Sequence, residues 1–493
     1  MVTSTWASNL VWVLLGANWV FEGRWREKWQ LARTSRLLHA YIALYLLLLV
    51  GMLWTENQSF GWSLMQVKLP LLCVPLVVLT TRPLEGRVRH GVLWAYATTV
   101  LVVSIIGLVR ILTITDLAYR EAIPYISHIR FALNCCMVVY LCVGVVVRRS
   151  GVVVQKIVAL MVLLWMLAFV LLLHSYTAIV ILVVVSFVML LAYYRRWPLL
   201  ALWVVLVGSF TFMVCRYVKD YYRMGPLATA PLASHTVNGN PYYHAEDGII
   251  ENGGYINNYI STYELRREWS KRSKLSYDGN TASGYSVEST LVRYMNAMGL
   301  TKDSVGLAAM DDSQIAAVEQ GIANPVYVSS NPLRKMVYVM LFEREFYVHT
   351  RTIAGFTMLQ RLELWNATID VVKNYPWIGI GTGDVVDGMQ QYMDVNDSEL
   401  SGRGMRSHNQ YLGLLAALGI VGFVILLVFW LRAISWKTFR VSPLMLAWLL
   451  TALISMLTED TLDTLAGILF CTWFLSVRPN TTNRSDVRIP HTA

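Results

Sequence analysis

The sequence predicts an all-α polytopic membrane protein, with about eleven transmembrane helices and a large, mainly helical loop domain on one side. Three observations predict it. Apolar runs of about 17–25 residues, the length that crosses a bilayer core, recur along the 493 residues. The composition is 56% hydrophobic and only 15% charged, with 18 Trp. Basic residues also alternate between successive short connections, as the positive-inside rule requires.

The runs lie at 6–21, 38–54, 64–80, 91–112, 124–147, 152–173, 176–194, 198–217, 409–431, 443–458 and 462–477. The first has the position of a signal segment, but no basic region precedes it and no small-residue cleavage site follows. After it, EGRWREKWQLARTSR (22–36) mixes Trp25 and Trp29 with Arg24, Arg26, Lys28, Arg33 and Arg36, a composition suited to an interfacial segment on the cytoplasmic surface.

Arg82, Arg87 and Arg89, then Arg148 and Arg149, then Arg195 and Arg196, then Arg432, Lys437 and Arg440, and the tail with Arg478, Arg484 and Arg488 mark the same side. The alternate short connections carry only Arg120. This orientation puts the N-terminus and residues 218–408 outside and the C-terminus in the cytoplasm. The expected organisation is a membrane domain over 1–217 with about eight helices, a loop domain over 218–408, about three helices over 409–478, and a cytoplasmic tail over 479–493.

The net charge of +10 therefore reports topology, since no basic stripe belongs to a soluble nucleic-acid-binding domain. Cys73, Cys135, Cys136, Cys142, Cys215 and Cys471 all fall in apolar runs, so the loop has neither a disulfide framework nor a cysteine metal site. No internal repeat marks duplicated transporter halves.

Within the loop, 220–285 reads as irregular. Val287, Leu291, Tyr294 and Met298 recur at helical spacing over 286–299. DDSQIAAVEQGI (311–322) reads as an N-capped helix, and LQRLELWNATIDVVKN (359–374) as an amphipathic one. NYPWIGIGTGD (374–384) stops the latter. GIGTG follows a helix rather than a strand, so it lacks the dinucleotide-binding context; a turn is the expected purpose, with backbone contact to a ligand the alternative.

Lys68, Arg110, Arg130 and Arg216 fall within apolar runs, in their outer halves. The interiors of these runs hold no Asp or Glu to pair with them, which points to an anionic ligand at the outer leaflet. Snorkelling is the competing explanation, above all for Arg216. Arg130 lies deeper, in SHIRFALN, two residues after His128, which reads as a polar core residue.

RLELWNATIDVVKNYPWIGIGTGD (361–384), RGMRSHNQYLGLLAALGIVG (403–422) and LTEDTLDTLAGILF (457–470) follow in an order that resembles the O-antigen ligase and O-antigen polymerase superfamily of bacterial membrane glycosyltransferases. RYMNAMGLTKDSVGLAAMDDSQIAAVEQGIANP (293–325) further resembles a ligase-like subgroup with an enlarged periplasmic loop.

The resemblance implies a metal-independent transferase without a cofactor in the bacterial inner membrane. Its donor is an undecaprenyl-pyrophosphate-linked glycan, its acceptor a hydroxyl of lipid A–core, and its site faces the periplasm. Polymerisation onto a second lipid-linked repeat uses the same leaving group and differs in acceptor. Membrane lipid is the implied surrounding, and nucleic acid is not a partner.

On this reading His408 is the catalytic base, since an imidazole titrates near neutral pH, with phosphate contact as imidazolium the alternative. Arg361, Arg130, Arg406, Arg110 and Asn409 are substrate-binding candidates, the four arginines because guanidinium forks suit phosphate oxygens. Asn409 is alternatively a helix cap. Backbone N–H groups at 408–411 favour an anion at the helix start. Glu459, Asp460 and His128 are possible orienting groups, with loop solvation the alternative for the two acids.

The chain departs from the family at HSYTA, where Tyr176 occupies the position of an arginine linked to pyrophosphate binding. Either another basic residue, Arg130 first and Arg110 second, supplies that charge, or activity is impaired. A transporter or flippase for the lipid-linked glycan is the rival from another class. It predicts ionisable groups along the inner half of the path, and it gives no reason for a large outer loop or for His408.

Overall fold

The computed structural model describes residues 5–114, 121–148, 152–194, 197–245, 248–329, 331–353, 357–434 and 442–478. The expected tail 479–493 and the basic residues Arg120, Arg149, Arg195, Arg196, Lys437, Arg440, Arg484 and Arg488 lie outside them.

Strand is confined, among the described residues, to a hairpin in which Ile250–Glu251 pairs antiparallel with Gly254–Tyr255, apart from isolated bridges. Seven described helices are long and apolar enough to cross a membrane: Gln58–Thr80, Gly86–Thr113, His128–Val146, Val153–Leu172, Tyr176–Tyr193, Trp197–Tyr221 and Gln410–Ala433. Trp25–Thr34 and Arg36–Gly51, bent by 81°, make an eighth if counted as one span. Ser8–Phe21, Pro443–Ser455 and Leu465–Val477 are apolar but shorter. The runs expected at 443–458 and 462–477 are shorter as helices because Met456–Thr464 forms a turn between them.

The chain folds as two compact units, Met1–Ala201 with Arg361–Ala493, and Leu202–Gln360. In the first, the Arg36–Gly51 helix packs along Gln410–Ala433, and His128–Val146 along Val153–Leu172. Pro443–Ser455 packs against both His128–Val146 and Tyr176–Met189. Their shared core is apolar and includes Leu38, Leu44, Phe131, Ile181 and Phe470.

The Gln410–Ala433 helix is not continuous. Gly419 has φ 63° and ψ −178°, which interrupts the helical hydrogen bonds. The PWIG segment supplies replacements: Ile420 N–H donates to Pro376 O (2.8 Å) and Val421 N–H to Trp377 O (3.1 Å). In return Ile380 N–H donates to Ala416 O (2.9 Å). Broken backbone at membrane depth is tolerated where protein groups satisfy it, so this turn has a structural purpose.

The second unit corrects one expectation. The stretch 220–285 contains the hairpin and a helix at Thr262–Arg272. That helix is strongly polar in composition, and one of its buried residues is an acid. Glu264 accepts from Thr236 Oγ1 (2.6 Å), Asn240 Nδ2 (2.7 Å) and Ser304 N (3.0 Å), while Leu265 and Trp269 join the apolar core. Val287–Ala297, Asp312–Glu319 and Pro332–Thr350 are also helical. Asp311 and Gln314 form a reciprocal capping box at the start of Asp312–Glu319.

A charged cluster on the 459–463 turn

The turn after Pro443–Ser455 reads Glu-Asp-Thr-Leu-Asp (459–463) and gathers charged residues that lie far apart in sequence. Glu459 and Asp460 are each only 5% exposed, so loop solvation does not explain them. Glu459 Oε1 accepts from Arg361 Nη2 at 2.6 Å. Asp460 accepts from Ser407 Oγ and from the His408 backbone N–H, both at 2.9 Å. Burial, together with the nearby Asp463, pushes the Asp460 carboxyl above its ordinary value, against the opposing influence of His408 and Ser407.

Asp463 overturns the expectation that Lys68 has no carboxylate partner. The two form a buried ion pair, and Lys68 Nζ also donates to Leu462 O (3.2 Å). Arg406 Nη1 donates to Asp463 O (2.9 Å) and stands 3.9 Å from its carboxylate. Gln410, buried, fixes the turn by accepting from Leu462 N–H at 2.7 Å. Nothing local to Lys68 points to Asp463, which lies 395 positions away in a different apolar run.

His408 sits at φ 49°, in the left-handed region that a non-glycine residue seldom occupies. The Asp460 carboxylate holds its backbone there. Its Nδ1 is buried, lacks a hydrogen-bond partner among the described residues, and faces Asp460 at 3.9 Å and Glu459 at 4.0 Å. The side chain as a whole is 35% exposed, so the ring remains reachable from one side.

The helix start does not offer the expected open anion site. The Asn409 side chain caps the helix, accepting from Tyr411 N and Leu412 N at 3.1 Å each. Gln410 N–H donates to Met456 O (2.9 Å), and His408 N–H is taken by Asp460. The backbone donors at 408 and 410–412 are therefore already satisfied, and Asn409 acts as a cap.

Arg130 belongs electrostatically to the cluster, within reach of Glu459, Asp460, Asp463 and Arg406. Its Nε is buried without a hydrogen-bond partner among the described residues. His128 opens the same helix and is half-buried. Arg110 stands apart: it donates from Nη2 to Glu121 O (3.4 Å), and no described contact joins it to the turn. Arg216 is exposed and pairs with Asp220 at 3.9 Å.

Tyr176 begins its helix beside the turn. The next residue, Thr177, shares a 3.0 Å hydroxyl–hydroxyl hydrogen bond with Thr458, immediately before Glu459. Lys68, Arg130, Arg361 and Arg406 outnumber Glu459, Asp460 and Asp463 by one charge, so the cluster is mainly self-neutralised yet retains a donor, Arg130 Nε, without an acceptor among the described residues.

Residues 326–427 match the family model for O-antigen ligase. The matched window contains Arg361, the PWIGIGTGD turn, Arg406, His408 and Asn409. No curated protein matches the chain. The match supports the O-antigen ligase superfamily for this multi-pass membrane protein, in agreement with the order of motifs along the sequence.

Proposed function

We propose that this membrane protein of the O-antigen ligase type transfers a glycan from undecaprenyl pyrophosphate to an acceptor hydroxyl of lipid A–core. The transfer is metal-independent, and the cluster faces the periplasm across about eleven spans. The observation that carries the reading is the convergence of His408, Arg361 and Arg406 from the matched window on the 459–463 turn, with Arg130 in electrostatic reach.

In this mechanism the acceptor hydroxyl approaches the open side of His408, and Nε2 takes its proton. The acceptor oxygen forms a bond to the anomeric carbon as the bond from that carbon to the pyrophosphate oxygen breaks. Glu459 and Asp460, beside Nδ1, stabilise the imidazolium that results, in the way an acid supports histidine in hydrolytic triads. The departing pyrophosphate carries the electron pair, and Arg130 stabilises that charge, assisted by Arg361 and Arg406. Arg130 thus takes the part of the arginine that Tyr176 replaces. Lys68 and Asp463 hold the turn in place.

Ligation is favoured over polymerisation by the enlarged-loop resemblance alone. The test is purified protein given undecaprenyl-pyrophosphate glycan and either lipid A–core or a second lipid-linked repeat. Transfer to lipid A–core only is expected; transfer only to the repeat would make the chain a polymerase, and transport without transfer would sink the proposal.

A further inference from the structure

We infer that the groove bounded by Trp54, Tyr375 and Trp377 is a second subsite that holds a neutral saccharide chain, at sugars removed from the bond that reacts. The inference rests on the glycan-transfer reading above and specifies where the remote part of the glycan lies. The groove has a volume of about 730 Å³, within the range of pockets that hold small ligands.

Its platform is unusual for a turn. Trp377 is 69% exposed and Tyr375 48% exposed, yet their backbone is anchored to the broken Gln410–Ala433 helix through Pro376 O and Trp377 O. Large apolar rings held open on a fixed backbone suit the apolar C–H faces of pyranose rings. Trp54 Nε1 supplies the complementary polar contact: it is a buried donor on the groove lining with no hydrogen-bond partner among the described residues.

Charge selects among ligands. Glu56, Asp384 and Asp387 line the groove, and no Lys, Arg or His among the described residues does. An anionic ligand, such as the pyrophosphate or a phosphorylated core sugar, meets like charge here. Sugar hydroxyls donate to carboxylates and accept from the indole N–H, so a neutral chain satisfies both kinds of group. Asp384 already accepts from the backbone N–H groups of Glu56 and Asn57 at 2.8 Å each and fixes the rim; Asp387 accepts from Asn57 Nδ2 (2.8 Å) through Oδ2 and lies exposed.

Position relates the groove to the charged cluster. Along the Val385–Val395 helix, Val385 and Val386 line a small cavity with Lys68, Arg406 and Asp463, whereas Asp387 and Gly388 line the groove. The two sites therefore lie on different faces of one helix, which is about 10–12 Å thick. A glycan whose pyrophosphate end lies at the cluster reaches the groove only with later sugars. Contacts there are remote from the reacting bond and serve binding and chain-length selection.

The test uses the full chain in lipid nanodiscs, since maltoside detergents are themselves glycosides. The probe is the glycan released by mild acid from the lipid-linked donor, followed by saturation-transfer NMR. Trp377→Ala and Asp387→Asn should each reduce the transferred signal at least fivefold, and Trp377→Phe should retain it. In transfer assays the same two variants should raise KM about tenfold for a donor carrying many repeats, and less than twofold for one carrying a single repeat. Unchanged NMR signal, equal KM effects on both donors, or displacement of the glycan by glycerophosphoethanolamine would overturn the subsite. Groove binding without transfer to any acceptor by the wild type would instead refute the transferase reading and leave the subsite standing. If Trp377→Ala does not fold, Asp387→Asn against Trp377→Phe decides.

Discussion

Lys68 and Asp463 show how a buried charge can serve assembly of a site without touching substrate. Lys68 is 4% exposed, and its partner comes from the turn that carries Glu459 and Asp460. Removing one member of a buried pair leaves an uncompensated charge, at a cost of about 3–5 kcal/mol, whereas replacing both with apolar residues is far less harmful. Lys68→Met should accordingly lower thermal stability strongly, and Lys68→Met with Asp463→Leu should recover most of the loss in a melting experiment. Arg130 differs because its Nε lacks an acceptor among the described residues. Arg130→Gln should weaken donor use by at least tenfold in KM. Arg216→Gln, which removes only an exposed pair with Asp220, should leave it unchanged. Equal effects of the two substitutions in a donor-titration assay would remove Arg130 from the site.

Among the elements, the broken Gln410–Ala433 helix depends on one glycine. A Cβ at Gly419 would stand 2.3 Å from Trp377 O, and its φ of 63° is strained for any other residue. Gly419→Ala should therefore destabilise the membrane unit by a few kcal/mol, read as a lower melting temperature with faster hydrogen exchange at Ile420 and Val421. In the Leu202–Gln360 unit, burial lowers the Lys302 ammonium to about 7, although Asn296 Oδ1 accepts from it at 2.8 Å. An unfolded lysine binds its proton up to about pH 10.4, so the unfolded state gains protons first as pH falls. Lys302 thus removes stability as pH drops from about 10 towards 7. The gain in melting temperature between pH 7 and pH 9 should shrink in Lys302→Met; an unaltered difference would show that Lys302 is not the titrating group.

At the scale of the whole molecule, what was legible in the sequence was what depends on neighbours along the chain. Apolar runs located the long helices, spacing at Val287 and Leu291 located one loop helix, and Asp311 announced the cap of another, Asp312–Glu319. Contacts between distant residues were not legible. Lys68 and Asp463 are 395 positions apart, and nothing local to either announces the other. For the same reason Glu459 and Asp460 carried loop solvation as an alternative, although their turn organises the cluster. The Asn409 cap could be named only as one of two roles, because a ligand contact and a cap place the same residue at a helix start.

On the proposed function, this cluster transfers a lipid-linked glycan with His408 as the base. The most direct measurement compares single-turnover transfer from undecaprenyl-pyrophosphate glycan by wild type and His408→Ala, with donor binding measured on the same samples. A positioned general base contributes about 10²–10⁴-fold in rate. His408→Ala should lose transfer in that range, with donor affinity within about twofold because the arginines remain. Wild-type transfer by His408→Ala would contradict His408 as the base.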